Sequence, residues 1–151
     1  MNNAQLVEEY WCNALNRQDV KGILKFCAPG CQCWFVGADK GMSMEEFCGS
    51  IMLLLESFPD NFVRWESIEE IEPGVVRIQN FYGRSTHIGK PFSFGPYPPI
   101  PATGIVVEED PCHLMITMKK GKMVKFVMDA YHGGLVGPPG HYQKIGGKLA
   151  P

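Results

Sequence analysis

The chain has 151 residues, which suits one domain around one core, and its 45% apolar and 20% charged residues describe a sequence that folds. A net charge of −2 offers no basic footprint for nucleic acid or an anionic membrane, and no apolar run reaches the roughly 20 residues of a membrane span. The opening "MNNAQLVEEYW" lacks the basic and apolar regions of a signal peptide, so the protein is expected to be cytoplasmic, or stromal if a transit peptide has been removed.

In chain order, residues 4–17 carry two adjoining i, i+4 apolar rows, Leu6/Tyr10/Ala14 and Val7/Trp11/Leu15, which predict an amphipathic helix. Asp19 is placed to cap a short second helix bearing Val20, Ile23, Leu24 and Cys27, stopped by "APG" at 28–30. "CQCWFVG" reads as a strand with Cys31 and Cys33 on one face. In "GMSMEEFCGSIMLLLESFPD", Ser43 and Glu46 form a capping box, and Phe47, Ile51, Leu54, Leu55 and Phe58 line one side before Pro59. Six cysteines without a secretion signal are expected as reduced thiols. The spacing lacks the second knuckle that a zinc site needs, so no metal is expected.

The second half is β-rich. "FVRWESIEEIE" and "VVRIQNFYGRST" flank the turn dipeptide "PG" at 73–74. "GKPFSFGPYPPIPATG" is too rich in proline and glycine for a central strand and reads as a lid or a stiff spacer. "IVVEEDPCHLMITM" and "MVKFVMDAYH" form a hairpin across "KKGK", and the tail from 133 is read as irregular. Helices followed by antiparallel strands have one economical solution. It is a single-domain α+β cone, a curved antiparallel sheet wrapped around the N-terminal helices with a pocket between them.

The last hairpin holds the candidate chemistry. A three-residue loop at Lys120, Gly121 and Lys122 sets His113 directly opposite Asp129 on the same face, with Cβ atoms about 5 Å apart. A two- or four-residue loop places His113 opposite Met128 and turns Asp129 to the other face. An imidazole and a carboxylate paired beside an apolar wall suit proton transfer. The alternative is a solvated outer surface, with Val124, Phe126, Met128 and Ala130 as the core face. His87 could donate to a ligand oxygen or bond a loop carbonyl. Tyr82, Tyr131 and Trp34 could wall the cavity or fill the core, and His132 and His141 read as rim or tail residues. Cys112 beside His113 leaves a thiol mechanism open.

"GRSTHIGKPFSFG…PATG", followed by a strand, a glycine-lysine turn and a strand ending in an acid, resembles the SnoaL-like polyketide cyclases of the nuclear-transport-factor superfamily. The matching positions are Thr86, His87 and Gly89, then Thr103 and Gly104, then Gly121, Lys122 and Met123. "RQDVKGILKFCAPGCQCWFVG" is similar to the family's first helix-to-strand passage, so the likeness spans residues 5 to about 135. The resemblance implies the cone fold, dimerisation through the outer sheet face, and cofactor-free acid/base chemistry on a small hydrophobic carbonyl compound. It implies Asp129 as the base and His113 as the group that helps hold the enolate. Asp129 lies one residue farther past the glycine than in the family, and His113 one residue farther before it. A strict register would instead put Met128 in the acid's place. The final strand also has Phe126 and Val127 where the family has a tryptophan. The class-distinct alternative is a non-catalytic ligand-binding or assembly subunit of the same fold.

Overall fold

The computed structural model describes residues 1–35, 40–130 and 137–149, the side chain of Ala130 excepted. The first helix, α1, is α-helical over Asn3–Val7, widens to a π-helix over Glu8–Asn13 and returns to α over Ala14–Asn16. Asn2 and Gln5 close its N-terminus as a capping box. Val7, Trp11, Cys12, Ala14 and Leu15 are all buried along it. Asp19 caps α2 (Val20–Phe26) through the Gly22 amide. After β1 (Cys27–Phe35) and the short β2 (Met42–Ser43), Ser43 caps α3 (Met44–Ser57) by accepting from the Glu46 amide.

The remaining elements are β3 (Phe62–Arg64), β4 (Ser67–Glu72), β5 (Val75–Thr86), β6 (Val106–Glu108), β7 (Cys112–Lys119), β8 (Lys122–Ala130) and α4 (Gly137–Lys144). They form an eight-stranded sheet of order β2-β1-β8-β7-β5-β3, with β4 and β6 also paired to β5. The curved sheet and N-terminal helices are the α+β cone expected. Two expectations need correction. The sheet is mixed, because β1 runs parallel to β8. The tail is not wholly irregular: Pro138 and Pro139 sit in the first turn of α4, where a missing N–H and a fixed φ suit a helix start.

One residue bends the long strand. Ile78 pairs with Leu114 but Phe81 with Cys112, so β5 carries one extra residue, and Asn80 there has φ 50°. Asparagine tolerates that left-handed backbone better than most residues. Before the bulge Val76 and Ile78 face inward; after it, Phe81, Gly83, Ser85 and His87 do. A straight alternation from Ile78 would have turned all four outward.

Two apolar clusters fill the interior. The larger joins Trp11, Phe47, Phe81 and Phe126, with the Trp11 and Phe126 ring centroids 4.6 Å apart. The smaller comprises Leu54, Phe58, Phe92, Val107, Tyr142 and Ile145, where the proline-rich segment and α4 close over the end of the cone. That segment doubles back through paired backbone bonds between Phe92 and Ile100. The Tyr142 hydroxyl latches it by donating to Pro98 O at 2.6 Å.

Candidate functional site

The hairpin register is now explicit. Lys120 and Gly121, at φ 52° and 74°, make a two-residue turn with both residues left-handed, the geometry that suits tight hairpins. Alone this would set His113 against Met128. A second bulge intervenes: Met118 pairs with Met123 but Thr117 with Lys125, so Val124 is supernumerary. Beyond it His113 lies opposite Asp129, and Nε2 meets Oδ2 at 2.7 Å.

The pair forms, but not inside the cone. Cys112, Leu114, Ile116 and Met118 on β7 and Met123, Phe126 and Met128 on β8 are buried in the main core. Their alternates His113 and Asp129 therefore lie on the outer face, with 29% and 39% of their side chains exposed. The expectation that this pair looks into an apolar chamber is corrected. The two positions that match the family's histidine and acid, counted from Gly121, are Leu114 and Met128, opposed and buried. Trp34 is corrected likewise: β1 turns Cys31 and Cys33 inward and Trp34 outward, with Lys125 Nζ 5.8 Å from its ring centroid. Tyr82 also misses the interior and lines an open groove of about 550 Å³ with Asn13, Asn16, Arg64 and Trp65. Tyr131 and His132 lie outside the described residues.

All six cysteines are free thiols. Cys112 and His113, adjacent in sequence, point to opposite faces. The Cys112 thiol donates to Phe81 O at 3.5 Å, and burial, with Glu109 and Asp129 nearby, pushes its pKa up to about 12. That thiol stays protonated. Among the described residues no group of three or more His, Cys, Asp and Glu side chains is placed to hold a metal ion.

Apart from Trp11 Nε1 within the larger cluster, several polar groups are buried where β5 passes from one cluster to the other. Gly83 pairs with Val63 of the first, and Ser85 with Val107 of the second. Asn61 Oδ1 would stand 3.0 Å from a Cβ at Gly83, and Glu109 Oε1 2.5 Å, so glycine is needed for this approach. Ser85 is 2% exposed, and His87 and His141 are 0% exposed. Four of these buried atoms, Asn61 Oδ1, Ser85 Oγ, His87 Nε2 and His141 Nε2, have no hydrogen-bond partner among the described residues. An interior normally satisfies such groups, and sites that bind or react are a recurring exception.

Each imidazole is anchored by its other nitrogen. Thr103 donates its amide to His87 Nδ1 at 3.2 Å, and its hydroxyl lies 3.0 Å from the same atom. The backbone locks the contact, because His87 N donates to Ile105 O and Gly104 N to His87 O. The two stretches "THIG" and "PATG" thus meet at one point. Thr86 completes the anchorage through its amide and hydroxyl on Asp60, each at 2.7 Å. Desolvation lowers the pKa of His87, outweighing the raising influence of the nearby Lys90 backbone. His141 Nδ1 is 2.9 Å from Gly137 O within α4. Glu109 docks that helix by accepting from the Gly137 amide at 2.9 Å. Phe58 touches both imidazoles, stacked on His87 at 5.0 Å and edge-on to His141 at 4.8 Å.

Sequence reading picked out His87 but not Asn61, Ser85 or His141. The proline pair just before His141 was the available signal, since it marks a helix start and so an ordered tail.

This architecture is the cone seen in solved structures of nuclear-transport-factor-like proteins. The proposed hydroxylase AclR from Streptomyces galilaeus is 21% identical, covering 95% of this chain and 80% of its own, at a TM-score of 0.72. A proposed SnoaL-like polyketide cyclase from Jannaschia sp. CCS1 is 19% identical over 83% of each chain, at 0.62. The proposed polyketide cyclase IdmH from Streptomyces antibioticus is 18% identical over 85% of this chain and 91% of its own, at 0.66. At these identities the likeness is one of fold. No protein-family model matches the sequence, and no curated protein matches it.

Proposed function

We propose that the protein is a cofactor-independent acid/base enzyme of the cyclase or isomerase type, acting on a small hydrophobic carbonyl compound held in the cone. The observation that carries this reading is the set of four unpartnered polar atoms on the buried residues Asn61, Ser85, His87 and His141, with both imidazoles packed against Phe58 of the smaller apolar cluster. An apolar ligand bearing one or two oxygens supplies what that region lacks, apolar contact and hydrogen-bond partners together. The region contains ionisable groups able to move a proton, and the chemistry needs no redox group. The fold shared with proposed polyketide cyclases supports the same class.

In this reading His113 and Asp129 belong to the outer face. There, with Trp34, Met115 and Val127, they would meet a second copy of the chain. The pair is too exposed to be worth more than about 1 kcal/mol.

The test is deuterium exchange in D2O, followed by proton NMR, on a panel of apolar ketones that saturation-transfer measurements show to bind. Enzyme-dependent exchange at the carbon α to the carbonyl is expected, and Asp129→Asn should leave its rate within about twofold, as befits a residue outside the chamber. Ketones that bind without exchanging would replace the enzyme by a non-catalytic ligand-binding subunit.

A further inference from the structure

The two buried imidazoles differ in where they carry their proton, and this divides the labour between them. A backbone N–H can only donate, so the Thr103 amide makes His87 Nδ1 an acceptor and leaves the ring proton of the neutral imidazole on Nε2. A backbone carbonyl can only accept, so Gly137 O fixes the proton of His141 on Nδ1 and leaves a lone pair on Nε2. The two free nitrogens are therefore a donor on His87 and an acceptor on His141, both fully buried and both on residues packed against Phe58.

Resting on the function proposed above, we propose that His141 Nε2 is the base and His87 Nε2–H the oxyanion donor for enolisation of an apolar ketone bound beside Phe58. In the step, the α C–H proton passes to His141 Nε2. The C–H electron pair becomes the new C=C bond, and the C=O π pair moves onto oxygen, where it faces the His87 N–H. His141, now an imidazolium, keeps its Nδ1–H on Gly137 O. In a β,γ-unsaturated ketone the enolate is a conjugated dienolate, and returning that proton to its γ carbon shifts the double bond and gives an isomer. If the enolate carbon instead attacks a second carbonyl of the same molecule, a ring closes and the proton goes to the new alkoxide. Both outcomes balance with no oxidant or reductant.

The arrangement makes chemical sense of two anchors. A carbonyl behind the Nδ1–H of His141 stabilises the cation as it forms, while an N–H behind Nδ1 of His87 makes the opposite ring nitrogen a better donor. The site therefore selects a ligand with a carbonyl oxygen and an acidic C–H nearby on a mainly apolar body.

Two measurements test this. Long-range proton–nitrogen NMR on the 15N-labelled chain should show His87 protonated at Nε2 and His141 at Nδ1; the same tautomer at both would overturn the assignment. With 1-tetralone as probe, His141→Gln should lower the exchange rate at its α-methylene by at least ~100-fold while binding survives, because an amide oxygen accepts but is not basic. His87→Phe should lower exchange by about 10²–10³-fold. His87→Gln, whose amide still donates, should recover most of that loss, a rescue that a purely structural role would not give. Exchange unchanged in His141→Gln would overturn the division of labour and leave the enzyme reading standing. A wild-type chain that neither binds nor exchanges the ketone would overturn both. Thermal melts of each variant separate loss of fold from loss of chemistry.

Discussion

At the scale of single residues, His87 makes a measurable demand on stability. Desolvation holds its imidazole below the ordinary value of 6.5, so between the folded and unfolded values the unfolded chain binds a proton that the folded chain refuses. The contribution of this group is fully present above pH 6.5 and is lost as pH falls through the lower, folded value. Urea midpoints measured from pH 7.5 down to 5 should fall more steeply for the wild type than for His87→Gln; parallel slopes would show that the ring is not desolvated. His87 was legible as a residue of interest because a histidine stood where a strand met the proline-rich segment. Its orientation was not legible, since alternation counted through β5 fails at Asn80. His141 was hidden for a different reason: glycine and proline around it mask a helix whose apolar contacts are few and non-local.

At the scale of elements, the proline-rich segment and α4 act as one cover. Phe94 and Tyr97 stack at 6.0 Å, and both rings pack against Tyr142, which also holds the Pro98 carbonyl. Under the proposed function a ligand would sit beneath this cover, whose opening would then govern entry. Tyr142→Phe keeps the ring and removes the latch. It should cost about 1 kcal/mol of stability, raise amide exchange at Phe92 and Ile100, and speed ketone binding. Unchanged exchange at those two amides would mean that packing alone holds the cover. The helices, the Ser43 cap and the β-rich second half follow from local pattern and were readable; the reciprocal Glu46 contact expected there does not form, and the capping box at Asn2 was not foreseen. The parallel contact between β1 and β8 was not, because it joins residues about ninety positions apart with no connecting hairpin.

At the scale of the whole molecule, two one-residue bulges decide which side chains face the interior. Asn80 turns Ser85 and His87 inward; Val124 sends Asp129 outward to His113 and leaves Met128 within. The cone itself was readable because hydrophobic alternation and turn signals survive such local slips. The site was not, because a bulge reverses every face beyond it. Deleting Val124 should remove only the surplus residue, preserving the His113–Asp129 contact at a cost below about 1 kcal/mol. Deleting Val127 instead should push Asp129 into the buried place of Met128 and cost about 3–5 kcal/mol, the scale of an uncompensated buried charge. Nuclear Overhauser contacts and denaturant midpoints of the two deletions distinguish these outcomes; equal destabilisation would refute the bulge account.

The surplus link at Val124 has a consequence for how proteins of this shape diverge. A codon lost there shortens the gene without altering which side chains face the interior, whereas the same loss three codons later reverses the end of the strand. Length variation at the bulge is thus free to drift, while a gap elsewhere in β8 exchanges the enclosed surface for the outward one in a single mutational event.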